Sequence, residues 1–217
     1  MQRPLVVAVS GYSGSGKSTL VIELAKELLS CVTLFFDDYV SRKDFPESIV
    51  SWIHSGGDPN EIKTPLLREH LICLINGESV ILNKGIGWAE EYGNLKPKEK
   101  LELKPGEIIL LEEPFGKERD EVADLIDLVI YLDVSPEVSL GRRIYDLIKN
   151  LKHDPEVLIS LLDHFLSDYL YGGVKEMYLL NGIRVKEKAD LIIDANQDKN
   201  SVVEKVKREI LRTIRNL

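Results

Sequence analysis

The sequence predicts an α/β fold in which a doubly wound parallel sheet carries helices on both faces. Two observations carry that expectation. The first is the run from Leu5 to Thr19. A continuous apolar stretch, Leu5 to Val9, leads into Gly11-x-x-x-x-Gly16-Lys17-Ser18 and then into the amphipathic pattern Leu20 to Leu29, which is a P-loop in its required strand–loop–helix setting. The second is the repeated alternation of short apolar runs with helical patterns along the rest of the chain.

The P-loop predicts nucleoside triphosphate binding, and each part has a physical task. Gly11, Gly14 and Gly16 permit backbone conformations that turn successive N–H groups toward a phosphate. The following helix adds its positive end to the same anion site. Tyr12, Ser13, Ser15 and Thr19 complete the loop, Lys17 is placed to reach the β- and γ-phosphates of ATP, and the Ser18 hydroxyl is placed to bind Mg²⁺.

The whole-chain properties narrow the partners. A length of 217 residues fits one α/β domain, 1–217, with an acceptor-binding or flap insertion at 41–105 and a lid with its following helices at 135–182. A net charge of −8 argues against nucleic acid or an anionic membrane as a general partner. Cys31 and Cys73 stand far apart among apolar residues without metal or redox spacing, which predicts core thiols in a reducing cytoplasm. There is no signal-peptide pattern and no apolar run long enough to span a bilayer. An anionic ligand must then be held by local groups, as in the P-loop, and a homo-oligomer is left open.

Taken in order, Leu5 to Val9 reads as a strand buried on both faces. The P-loop helix is expected to end near Ser30, and Cys31 to Phe36 is a second strand stopping at Asp37-Asp38-Tyr39. Residues 41–60 are polar and turn-rich, with Gly56-Gly57-Asp58-Pro59 as a loop. Leu66 to Ile75 has helical spacing and stops at Asn76-Gly77. Ser79 to Leu82 is a short strand, and 83–105 is expected to form a β excursion or flap.

Glu107 to Glu112 is another buried strand ending in acids, and Leu128 to Asp133 is a third. Ser135-Pro136-Glu137 and Asp154-Pro155-Glu156 supply cap-plus-proline starts for helices running to about Asn150 and Tyr169. Gly172-Gly173 breaks the second, and a further helical segment is expected to end near Asn181-Gly182. Ala189 to Asp194 is the last strand and Ser201 to Ile214 the closing helix.

In open α/β sheets ligands collect beyond the carboxyl ends of strands, so acids placed there are site candidates. Asp37 fits a general base or a magnesium-side carboxylate, with Asp38 in the same surroundings. Glu112, closing an apolar strand, fits a magnesium ligand or an acceptor-orienting group. Arg142 and Arg143, on one helix, are candidates for a lid cation over the phosphates. The four histidines show no metal-ligand spacing.

These residues resemble the uridine kinase and phosphoribulokinase-like group of P-loop kinases. The likeness rests on Gly11 to Thr19, Phe36-Asp37-Asp38-Tyr39, Gly77 to Val80 and Ile108 to Glu112. It continues in Tyr131 to Asp133, Arg142-Arg143-Ile144 and Val185 to Ile193, and so covers most of the chain. The resemblance implies a P-loop fold with a five-stranded parallel core, a mobile lid and ATP-dependent phosphorylation of a hydroxyl. It also implies Asp37 as base, Glu112 near magnesium, Arg142 with Arg143 in the lid, and Tyr39 and Asp58 at the acceptor. Residues 195–200, Asn196 among them, would lie near the adenine.

The sequence departs from the family pattern at three points. Glu113 stands where the family has glycine, Ile144 to Leu147 replaces an Arg-x-x-Arg-Asp continuation, and Asn83 to Trp88 replaces the Pro-x-Tyr-Asp segment of the nucleoside pocket. The acceptor is thereby left open among a nucleoside, another riboside, a sugar or sugar phosphate, and a small metabolite. A GTPase is disfavoured because no aspartate has glycine three residues later, and an ABC-type ATPase finds only Ser55-Gly56-Gly57. The remaining alternative is an ATPase module acting on a protein partner without a small-molecule acceptor.

Overall fold

A computed structural model describes residues 3–83 and 100–215. Its centre is a five-stranded parallel sheet in the order β2-β5-β1-β6-β7. The strands are β1 (Leu5–Ser10), β2 (Cys31–Phe35), β5 (Ile108–Glu112), β6 (Leu128–Asp133) and β7 (Leu191–Asp194). The hairpin of β3 (Val80–Asn83) and β4 (Lys100–Leu103) is a separate antiparallel pair, which agrees with a β excursion at its two ends. Residues 84–99, which include most of the Asn83 to Trp88 segment, lie outside the described part.

The apolar strand runs exist because the sheet is covered twice. Leu5, Val7 and Val9 of β1 pack into one core with α1 (Lys17–Glu27) and the closing helix, α8 (Lys199–Arg215). Val6 and Ala8 face the other way, onto α3 (Pro65–Ile75). Alternation disappears from the sequence because neither face of β1 sees water.

A third apolar cluster, including Phe36, Trp52, Phe115, Phe165 and Met177, stands at the carboxyl edge of the sheet. It is built by α2 (Ile49–His54), α5 (Pro136–Leu151), α6 (Pro155–Tyr171) and α7 (Val174–Lys188). Ser135 and Asp154 cap α5 and α6 by accepting from Val138 N and Val157 N, as the Ser-Pro-Glu and Asp-Pro-Glu signals predict.

Three elements differ from the sequence reading. The short helices α2 and α4 (Asp120–Ala123) were hidden in stretches too brief for a helical period to show. Helix α7 does not stop at Asn181-Gly182 but continues to Lys188. Gly182 is there for space: a β-carbon built on it would stand 2.2 Å from Cε1 of Tyr12. A glycine inside a helix was mistaken for a helix end. No helix among the described residues is long and apolar enough to cross a membrane.

Candidate active site

Beyond the carboxyl ends of β1, β2 and β5 lies a cavity of about 530 Å³, lined by the whole P-loop from Gly11 to Thr19. Gly14, Gly16 and Gly11 all have positive φ, at 81°, 102° and 140°. At Gly14 the reason is also steric, since a β-carbon would meet the carbonyl oxygen of Ser139 on α5 at 2.1 Å. At Gly16 a β-carbon would meet nothing within 4 Å, so the backbone there faces open cavity directly before the start of α1. An exposed helix N-terminus preceded by left-handed glycine is the cradle a phosphate chain requires.

Lys17 is 7% exposed; its Nζ donates to the carbonyl of Tyr12 at 3.0 Å and lies 3.6 Å from Oε1 of Glu112. Strand register brings them together: β5 is flanked by β1 and β2, pairing Glu112 with Val9 on one side and Phe35 on the other. Ser18 and Thr19 line the cavity from the first turn of α1, with Ser18 exposed. Among the described residues no three acids, histidines or cysteines form a metal cage. Ser18 and Glu112, the candidates from the sequence, both line the cavity and offer oxygen ligands of the kind magnesium takes.

The arginine pair divides. Arg142 reaches across the loop, donating from Nη2 to Ala195 O at 3.0 Å and from Nη1 to Ser15 O at 3.5 Å. Arg143 also lines the cavity, with its guanidinium 5.8 Å from the ring centroid of Phe165. Ala195 and Gln197 border the cavity near Arg142, but Asn196 does not. Its Nδ2 and backbone N both bond Asp194 Oδ1, at 3.0 and 2.9 Å. The turn after β7 thus borders the cavity through Ala195 and Gln197, while Asn196 bonds back to Asp194.

Asp37 lies in the short turn Phe36–Asp38 just past β2 and lines the cavity, while Asp38 is not among its lining residues. That distinction separates two acids the sequence could not. Tyr39 and Asp58 stand apart from the cavity lining. The Tyr39 hydroxyl is 3.0 Å from Nδ1 of His70, and burial raises its pKa well above the phenol range. Asp58 caps the turn Pro59–Glu61, its Oδ1 accepting from the backbone N of Asn60 at 2.9 Å.

Outside the P-loop the lining is largely apolar and aromatic, with Phe36, Phe45, Phe115, Phe165, Val174 and Met177 contributing. Asp37, His164, Asp168, Tyr178 and Asn181 add polar groups to it. The Tyr178 phenol is pushed up to about 12, chiefly by burial, with a hydrogen bond to Ser13 opposing. The α6 and α7 residues were not singled out in the sequence, because an apolar helix face with spaced aromatics reads as ordinary core. The one available signal was Asn181, a polar residue on such a face.

Beneath the floor, Glu113 and Arg119 are both fully buried, with Nη2 of Arg119 3.9 Å from Oε2 of Glu113. Arg119 also donates to Thr64 Oγ1, lies 3.2 Å from Glu121 Oε2 and stacks 5.1 Å from the Phe36 ring centroid. Glu113 Oε1 accepts from Phe115 N at 3.2 Å. Arg119, beside Glu113, thus joins the segment after β5 to the turn that carries Asp37. Burial raises the Glu113 carboxyl above its ordinary value, with Arg119 pulling the other way.

No family model matches the chain. Relatives do. The chain is 30% identical over 214 residues to a uridine kinase of Clostridium novyi (strain NT), covering 96% of this chain and 97% of that one. A uridine kinase of Clostridium tetani (strain Massachusetts / E88) is 29% identical over 194 residues, covering 88% and 87%. Among solved structures, a possible uridine kinase from Bacillus stearothermophilus superposes with a TM-score of 0.52 at 17% identity, covering 89% and 90%. The YGR205w protein gives 0.50 at 19%, covering 90% and 88%. At those identities the two structures speak for the fold alone. The near-full-length relative and the P-loop with its strand-end acids decide the rest: the chain belongs to the uridine kinase family and is an ATP-dependent small-molecule kinase.

Proposed function

We propose that the enzyme transfers the γ-phosphoryl group of ATP to a hydroxyl of a nucleoside or a closely related riboside. The observation that carries this reading is the register of β2 and β5. Phe35 pairs with Glu112, so Asp37, two residues further on, enters the same cavity as Glu112 and Lys17. A base for the acceptor and the groups that hold the donor phosphates then face one space.

In this reading the P-loop amides, Lys17 and Arg142 bind and orient the nucleotide, and Ser18 and Glu112 hold magnesium. Magnesium, when bound, neutralises charge on the β- and γ-phosphate oxygens. Asp37 accepts the proton of the acceptor hydroxyl as its oxygen bonds to the γ-phosphorus. The bond from that phosphorus to the β–γ bridging oxygen breaks, and ADP leaves. Lys17, Arg142 and Arg143 supply the positive charge this transfer requires, and the aromatic wall holds the acceptor and excludes water.

The relatives' name favours uridine as the first acceptor to try. Measuring ADP release with ATP and magnesium, with and without uridine, cytidine, adenosine, ribose and sugar phosphates, tests the reading. Release that rises at least tenfold with one acceptor supports it. A basal rate that no acceptor changes overturns it and leaves the ATPase module.

A further inference from the structure

We infer that Asn181 is a specificity-determining residue, whose side-chain oxygen reads a hydrogen-bond donor on the phosphoryl acceptor. The inference rests on the kinase reading above. It starts from the geometry of α7, where Val174, Met177, Tyr178, Asn181 and Gly182 all line the cavity. Their spacing, at i, i+3, i+4, i+7 and i+8, puts them on one helix face. On that face Val174 and Met177 are apolar and Gly182 is packed against Tyr12. Asn181 carries the amide.

Asn181 is only 3% exposed, and its Nδ2 donates to the carbonyl of Met177 at 3.2 Å. That bond fixes the orientation of the amide, because a carbonyl accepts only from the NH₂ end. The opposite end, Oδ1, is buried and has no hydrogen-bond partner among the described residues. A buried acceptor without a donor costs on the order of 1–3 kcal/mol, so such groups call for an explanation. Asn181 lines the cavity, so a bound acceptor that shifts the side chains covering Oδ1 brings a donor to it.

The surroundings define what can satisfy it. The amide is neutral, so it does not select charge, and an oxygen acceptor requires an O–H or N–H. The same wall offers Phe36, Phe115, Phe165 and Met177, which favour a flat or apolar part of the acceptor. A molecule with a planar ring and a nearby donor fits both. In a nucleoside, that donor is a ring N–H or a ribose O–H not receiving the phosphoryl group. An acceptor lacking it leaves Oδ1 buried and unpaired, and sites of this kind reject such analogues strongly.

Kinetics with paired acceptors tests this. The native protein and Asn181→Leu are assayed for ADP release with uridine, 3-methyluridine, 2′-deoxyuridine and 3′-deoxyuridine. The first analogue removes the ring N–H and the others each remove one ribose O–H. The native enzyme is expected to prefer uridine over one of the three by about tenfold or more in kcat/KM, the scale of one buried hydrogen bond. Asn181→Leu is expected to lose that preference while its ATP affinity, measured by calorimetry, stays the same. Asn181→Ala gives the same reading if the leucine variant does not fold.

A residue that merely packs would lower the melting temperature and leave the preference intact, which overturns the inference. A native enzyme that uses all three analogues as well as uridine overturns it without any variant. If no acceptor raises ADP release in the native protein, the kinase reading fails first and takes this inference with it.

Discussion

The two ends of the cavity are built in different ways. At the nucleotide end the working groups come from one contiguous stretch, Gly11 to Thr19, with Glu112 and Arg142 added from neighbouring elements. Much of the binding there is backbone, and three left-handed glycines shape it. At the end proposed for the acceptor the wall is assembled from side chains of the turn after β2, the segment after β5, and helices α6 and α7. A phosphate chain is the same in every nucleotide, so a fixed backbone cradle suffices for it. An acceptor is recognised by its outline, and an outline requires side chains from several directions.

The difference can be broken or sharpened one residue at a time. The largest effect is expected at the junction: Asp37→Asn should lower turnover by about 10²–10⁴-fold with ATP affinity retained. Near-native turnover, measured as acceptor-dependent ADP release, would remove Asp37 as base. Lys17→Ala should cost about 10²–10³-fold in turnover and abolish stabilisation of the fold by ATP in thermal melts. A variant that ATP still stabilises would mean that the amides alone hold the phosphates.

Arg142→Ala should act at the nucleotide end only. Its bonds to Ala195 and Ser15 are made there, so the KM for ATP should rise by about tenfold and turnover should fall with the lost charge, while the KM for the acceptor holds steady. Equal changes in both constants would show that the two ends are not separable.

The smallest effect concerns the support behind the acceptor end. Burial lowers the pKa of His70, against an opposing pull from Glu69, while its Nδ1 faces the Tyr39 hydroxyl. The unfolded chain takes up a proton near pH 6.5 and the folded chain only at lower pH, so stability falls as pH drops below 6.5. Denaturant midpoints between pH 7.5 and 5 should decline more steeply for the native protein than for His70→Gln. Identical slopes would remove His70 as a source of the pH dependence.

The same contrast explains what could be read in advance. The sheet, the P-loop and the strand-end acids were legible because each is a local pattern: an apolar run, a glycine spacing, an acid at its end. Gln197 lines the cavity and Asn196 does not, since a turn's position can be read but the direction of each side chain in it cannot. Tyr39 follows two acids at the edge of the site, yet its hydroxyl turns back to His70. Phe165, Met177 and Asn181 join the cavity only when α6 and α7 fold over the sheet edge, and no local spacing encodes that meeting. Glu113 showed in the sequence only as a departure; its partner Arg119 became visible through a buried contact.

The adjacency of β2 and β5 has a consequence for how such an enzyme can change. The chain leaves the sheet at Phe35, and when it returns Ile108 pairs with Cys31 of the neighbouring strand. Ile108 N bonds Ser30 O at the point of return. Everything between is an excursion that leaves at the carboxyl end of β2 and returns at the amino end of β5, its two ends held one strand length apart by the pairing of the two strands. Doubling the length of such a loop adds only about 0.6 kcal/mol of closure entropy, so the excursion can be lengthened, trimmed or exchanged while the strand pairing stays in register. Lys17 and Glu112 lie outside the excursion, whereas Asp37, Phe36 and Phe45 lie inside it, so a change in its length acts on one part of the cavity wall only.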